Sequence, residues 1–220
     1  MAAAPASKTA GITLTALPAR IDAQSAARGF TRPRWGNLFG LLAHRGILPP
    51  KHGQEPGALP RLERVWMPAY AILVALVSRR GPGTAWVSVD ACSSAFALFE
   101  RVDELRDAEV REAYFPPRLT EDAAVQAGRQ GLLQYILRRR GQGDKPVVES
   151  VREVRLYYAP VWVLYYRRFR RYLDVGILDG YTGGPMGSRA KQAVLNAMIA
   201  ERRARLSGED AARGARAQGE

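Results

Sequence analysis

The chain is poor in the residues from which most catalytic and metal sites are made. Among its 220 residues there is one cysteine and there are two histidines. A single cysteine, Cys92, excludes an intramolecular disulfide, so the fold does not depend on an oxidising compartment. A zinc or iron site needs three or four ligands at helical or short-loop spacing. His44 and His52 lie in a proline-rich stretch without such a pattern, and no metal or other cofactor is expected.

Long apolar runs are missing too. The longest, Val65 to Val77, is broken by Pro68 and followed by the turn-like Arg79-Arg80-Gly81-Pro82-Gly83. A membrane-spanning helix needs about 20 apolar residues, so no transmembrane segment is expected. The N-terminus lacks the basic start and apolar core of a secretory signal. These absences point to a soluble protein of the cytoplasm.

Negative charge is the last shortage. There are 33 Lys and Arg residues against 21 Asp and Glu, giving a formal net charge of +12. An excess of this size favours polyanions as partners: nucleic acid, an anionic membrane face or an acidic protein. Arginine-rich usage with many Ala and Gly residues also follows from a GC-rich genome, so charge alone does not choose. The apolar fraction of 47% and charged fraction of 25% are ordinary globular values. Residues 1–10 and 207–220 are small and polar and read as disordered tails.

What the chain does contain is self-similarity. Pro18-Ala19-Arg20-Ile21-Asp22 matches Pro116-Pro117-Arg118-Leu119-Thr120, and each is followed by a helical pattern. Asp22 and Thr120 suit helix N-caps, because each side chain can accept from a first-turn amide. The aliphatic residue before each cap suits a hydrophobic staple. Downstream, Val65-Trp66-Met67-Pro68-Ala69-Tyr70 resembles Tyr157-Tyr158-Ala159-Pro160-Val161-Trp162. Both read as strands, with the proline at an edge position or a bulge. Each strand meets a basic turn and returns, as Ala85 to Asp90 in one case and Leu173 to Asp179 in the other. From Pro18 to Pro116, Pro68 to Pro160 and Asp90 to Asp179 the offsets are 98, 92 and 89 residues.

The expected architecture is therefore α+β, with two tandem pseudo-repeats of a helix packed on an antiparallel hairpin. The first occupies residues 11–112 and the second residues 113–206. Ser94 to Arg111 is expected to form a linker helix. Ser188 to Leu206 is expected to form a C-terminal helix with Ala190, Ala193, Val194, Ala197 and Met198 as its buried stripe.

Leu119-Thr120-Glu121-Asp122-Ala123-Ala124 and Asp179-Gly180-Tyr181-Thr182-Gly183 resemble the PepSY-type module, in which such a helix packs on a hairpin ending in such a turn. Pro116 to Ala124 with Tyr158-Ala159-Pro160-Val161-Trp162 is similar to a repeat of uncharacterised bacterial zinc-ribbon proteins. The zinc ribbon itself is lacking here. The resemblance implies a fold and names no activity.

The other candidate sites have plain structural readings. Asp179 to Gly183 concentrates oxygen atoms, yet Asp and Thr bond the local backbone in turns and Gly183 supplies a positive φ. Cys92 lacks a base placed beside it by sequence. Asp103, Glu104, Asp107, Glu109 and Glu112 alternate with Arg101, Arg106 and Arg111, as on a solvated helix face. Gly183 to Lys191 departs from the phosphate-binding loop, which needs Lys and then Ser or Thr after its last Gly. The aromatic residues around Trp66, Trp86 and Trp162 read as core, and Leu156 to Tyr166, apolar at both parities, reads as a strand covered on both faces.

The arginine clusters stand out. Arg79 and Arg80 at one hairpin tip correspond to Arg167, Arg168, Arg170 and Arg171 at the other, and Arg138, Arg139 and Arg140 close a helix. They are the candidate anion- or nucleic-acid-binding residues. The leading expectation is a non-enzymatic binding or assembly module that recognises a protein partner or self-associates. The alternative is a nucleic-acid-binding protein that contacts phosphates through these tips.

Overall fold

A computed structural model describes residues 12–31, 59–138, 145–168 and 172–200. The described residues are α+β, with three helices and one large sheet. In chain order the elements are β1 (Ile12–Ala16), α1 (Ala23–Thr31), β2 (Arg61–Ser78), β3 (Gly81–Asp90) and β4 (Phe96–Leu98). A 3-10 turn (Val102–Glu104), β5 (Arg106–Val110), β6 (Ala113–Tyr114) and α2 (Glu121–Arg138) follow. Then come β7 (Val147–Arg168), β8 (Tyr172–Asp179) and α3, residues 188–200. The eight-stranded sheet has the order β4-β3-β2-β7-β1-β5, with β6 added to β2 and β8 added to β7.

The sheet is built around one long antiparallel seam between β2 and β7. Its register sets Trp66 opposite Pro160, Met67 opposite Ala159 and Pro68 opposite Tyr158. Both prolines thus lie in central strands, which corrects the expected edge position. A proline cannot donate to a ladder. Here each sits where its strand changes outer neighbour. Beside β2, the parallel strand β6 ends at Tyr114 opposite Trp66, and the antiparallel β3 ends at Asp90 opposite Ala69. Beside β7, β1 ends at Ala16 opposite Tyr158, and the antiparallel β8 ends at Asp179 opposite Val161. The missing N–H of each proline falls in the gap, while its carbonyl is used. Pro68 O accepts from Ala91 N at 3.0 Å and Pro160 O accepts from Gly180 N at 2.8 Å.

Helices α1 and α2 lie on one face of the sheet. The Asp22 carboxylate accepts from Ser25 N at 2.6 Å and the Thr120 hydroxyl from Ala123 N at 3.3 Å, so both expected caps form. Ala124, Gly128, Leu132 and Ile136 make the buried stripe of α2, four residues apart, as one helical face requires. That stripe packs on Tyr70, Ile72, Val87 and Val89 of β2 and β3. Ala26 of α1 is fully buried against Trp162 and Leu178 of β7 and β8. The chain order is therefore crossed: the early helix covers the late hairpin, and the later helix covers the early one.

The opposite face has two covers. Ala193, Val194 and Ala197 of α3 pack on Val65, Val161, Val163, Val175 and Ile177, so the expected C-terminal stripe is the buried one. Phe99, Val102 and Leu105 cover Ala69, Ala71 and Tyr157. With α1 on one side and α3 on the other, residues 161–166 of β7 are buried at both parities.

The expected linker helix over Ser94–Arg111 does not form. Phe96–Leu98 pairs with Val87–Val89 as β4, and Arg106–Val110 pairs with Ile12–Ala16 as β5. In β5 the alternation puts Ala108 and Val110 inward and Asp107 and Glu109 outward, a period of two that the charge pattern had disguised as helical. Thr15 Oγ1 fixes the pairing by donating to Asp107 at 2.7 Å.

Candidate functional site

Among the described residues, the sheet between the two covers of the second face stays open. A groove of about 790 Å³ runs across four adjacent strands, from Ser88 and Asp90 of β3, over Met67 and Ala159, to Ile177 and Asp179 of β8. At a strand spacing of about 4.8 Å it is roughly 15 Å long. One wall is Phe96 to Arg101 and the other is the start of α3 with Met186. Its lining is chiefly apolar, with polar groups held at fixed positions.

The two ends of the groove are built alike. Asp90 Oδ1 accepts from the amides of Cys92 at 2.9 Å and Ser93 at 2.7 Å. Asp179 Oδ1 accepts from those of Tyr181 at 2.7 Å and Thr182 at 3.1 Å. Each turn closes through a residue with positive φ, Ser94 at 57° and Gly183 at 73°. Asp90 O then accepts from Ser94 N, and Asp179 O from Gly183 N, both at 2.9 Å. The carboxylates serve their own turns, as the sequence suggested for Asp179.

On the floor, Ser88 Oγ and Tyr157 OH are hydrogen-bonded at 2.7 Å. Burial pushes the Tyr157 phenol up to about 12, and Phe99 stacks on its ring at 4.9 Å. This hydroxyl pair is a fixed polar point in apolar surroundings.

One corner is locked by charge. Two guanidinium groups lie over the Tyr181 ring, Arg20 at 4.3 Å and Arg101 at 4.6 Å from its centroid. Its hydroxyl donates to Glu104 at 2.8 Å, and Glu104 also pairs with Arg20 at 2.7 Å and Arg101 at 3.2 Å. The Tyr181 hydrogen bond, reinforced by the two arginines, holds the Glu104 carboxyl below its ordinary value. Three separate segments meet in this cluster, so it fixes the wall of the groove.

On the other face of the sheet, the Arg64 guanidinium lies 5.7 Å from the ring centres of both Trp66 and Trp162 and pairs with Glu112. Burial disfavours ionisation of Glu112, but the Arg64 and Trp66 hydrogen bonds outweigh it and hold the carboxyl below its ordinary value.

Cys92 is partly buried beside this turn region. Burial, with the charge of Asp90, pushes its thiol up to about 12, the opposite of what a nucleophilic cysteine needs. Among the described residues no group of three or more His, Cys, Asp or Glu could hold a metal ion. His44 and His52 lie outside the described residues. No helix among them is long and apolar enough to cross a membrane.

The arginine candidates do not gather in one patch. Because β2 and β7 are antiparallel, Arg79 and Arg80 follow the end where Val77 meets Val147, whereas Arg167 lies beyond Arg61 and Tyr165. Arg61 to Val77 spans 16 residue steps, placing the two tips roughly 50 Å apart. Ile136 packs with Leu76 and Val148, which brings exposed Arg138 to the Arg79 and Arg80 end. Arg139, Arg140, Arg170 and Arg171 lie outside the described residues, and of Arg168 only the backbone is described.

Sequence reasoning did not find the groove. Its floor residues, Met67, Ala159 and Ser88, carry no local signal, because they meet only through the register of the seam. No protein-family model matches the chain, and no curated protein or solved structure shows significant similarity to it.

Proposed function

We propose that the protein is a non-enzymatic, cytoplasmic binding module that takes an extended, mainly apolar segment of a protein partner into the groove over Met67 and Ala159. The observation that carries this reading is the groove itself: chiefly apolar, across four strands, and walled by two independently anchored segments. A cleft of this size with few fixed polar groups is a ligand seat by its physical character. Met67 and Met186 give it adaptable surfaces. An extended chain rises about 3.3 Å per residue, so four or five residues fit its length.

The same proposal reads the chain as two tandem copies of one unit, residues 11–112 and 113–206. Matching hydrogen bonds support it. Arg20 N and Ile21 N both donate to Gly180 O, and 98 residues later Arg118 N and Leu119 N both donate to Ala91 O. Leu17 N donates to Tyr158 O as Phe115 N donates to Trp66 O. Trp162 Nε1 donates to Ile21 O, and Tyr70 OH to Leu119 O. The PepSY-like and zinc-ribbon-repeat resemblances belong to this reading, and the unit is the level at which they apply.

The test is a comparison of full-length protein with Ala159→Trp, which fills the floor of the groove. A partner that co-purifies with the wild type and is lost from a normally melting Ala159→Trp variant supports the reading. Equal recovery by both contradicts it.

A second reading is nucleic-acid binding, favoured by the exposed Arg79, Arg80 and Arg138 at one end of the sheet. It expects log affinity to fall against log salt with a slope near one per phosphate contact. Replacing these three by Ala should lower the slope, and an unchanged slope removes them.

A further inference from the structure

The β2–β7 seam has a property beyond holding the sheet together. It pairs Trp66 with Pro160 and Pro68 with Tyr158, and its centre is Met67 opposite Ala159. Residues that match at an offset of 92 therefore exchange places across the seam, as the two sides of a twofold contact do. The outer strands obey the same exchange. Strand β1, at the head of the first unit, adds to β7 of the second, and β6, at the head of the second, adds to β2 of the first.

The helices follow their strands. The indole of Trp162 holds the carbonyl of Ile21 just before α1, and the phenol of Tyr70 holds that of Leu119 just before α2. Ala26 and Ala124, 98 residues apart, are each fully buried on the hairpin of the other unit.

We infer that the seam is an isologous interface contained within one chain, and that the partner each unit fits is a second copy of that unit with its leading strand and helix exchanged. This rests on the two-unit reading of the chain and is independent of what occupies the groove. Each hairpin lacks the helix on its first face and one outer strand until the other unit supplies them. The first 100 residues therefore do not contain a complete core, although they contain a helix and a hairpin.

The test is amide hydrogen exchange by mass spectrometry on the full-length protein and two pairs of variants. Ala26→Gly and Ala124→Gly loosen the helices, while Trp162→Phe and Tyr70→Phe remove one hydrogen bond each, the former with part of a buried ring system as well. The inference expects Ala26→Gly to speed exchange in residues 161–166 and 174–179 about fivefold or more, sparing 84–89. Ala124→Gly should do the reverse. Trp162→Phe should loosen residues 22–26 and Tyr70→Phe residues 120–124, which covers the case in which a glycine variant does not fold. Loosening confined to the hairpin of the altered helix's own unit overturns the inference alone. Crossed loosening in only one direction overturns the two-unit reading and the inference with it.

Discussion

Trp162 Nε1 donates to the carbonyl oxygen of Ile21 at 2.9 Å, across 141 residues of chain. The bond fixes the start of α1, because Asp22, the cap, comes next. Tyr70 OH holds Leu119 O in the same way at 3.0 Å, directly before the cap Thr120. Removing either donor leaves a partly buried carbonyl without its partner, which costs about 1–2 kcal/mol. Tyr70→Phe is expected to lower unfolding free energy by that amount in denaturant titrations, and Trp162→Phe by more, because its smaller ring also leaves a cavity against Ala26 and Leu178. The two bonds share no partner, so the double variant should show the sum.

Gly131 tests the fit of α2 against β4. Alanine normally stabilises a helix interior by about 1 kcal/mol relative to glycine. Here a Cβ would lie 2.3 Å from Phe96 Cγ and 2.7 Å from Phe96 Cβ, too close for the ring to escape by turning its tip. Gly131→Ala should therefore destabilise the protein by roughly 1–3 kcal/mol. A melting temperature above the wild type would contradict the packing described.

The acid limb of stability should depend on Asp174. Burial works against its ionisation, but Lys191 of α3, the Val175 amide and Tyr166 outweigh burial and hold the carboxyl below its ordinary 3.8. The folded state then binds fewer protons than the unfolded state near that pH. This contribution is present above the ordinary value and is lost as pH falls through and below it. Asp174→Asn should flatten that part of the stability curve, measured by denaturant midpoints from pH 6 to about pH 3. An unchanged curve would show that the pair does not tie α3 to the sheet.

Cys92 should be slow to react. With its thiol pushed up to about 12 by burial first and by Asp90 second, little thiolate exists in the folded state near pH 8. Alkylation of native protein should be on the order of a hundredfold slower than that of the urea-unfolded chain. Equal rates would mean that the Asp90 turn opens readily.

The local devices were legible in the sequence because each depends on neighbours. Asp22 and Thr120 cap helices, Asp179 to Gly183 makes a turn, and Ala193, Val194 and Ala197 make a stripe, all within one stretch of chain. Prolines 68 and 160 misled because their compensation is nonlocal: the missing donor is harmless only where one outer strand stops and another starts. Asp107 and Glu109 misled because alternating charge suits a helix and an edge strand equally. The groove was invisible for the same reason as the crossed helices. Ser88, Met67, Ala159 and Ile177 come from four strands and meet only once the register is set. The arginine tips were visible one by one, but the opposite directions of β2 and β7 that separate them were not.

The most direct test of the proposed function is a fluorescence titration of an uncharged, environment-sensitive dye such as Nile red into the wild type and Ala159→Trp. The account expects one saturable site per chain in the wild type, and its loss in a variant with an unchanged circular dichroism spectrum. Identical binding by the two proteins, or no saturable site in either, would contradict a binding seat over Met67 and Ala159.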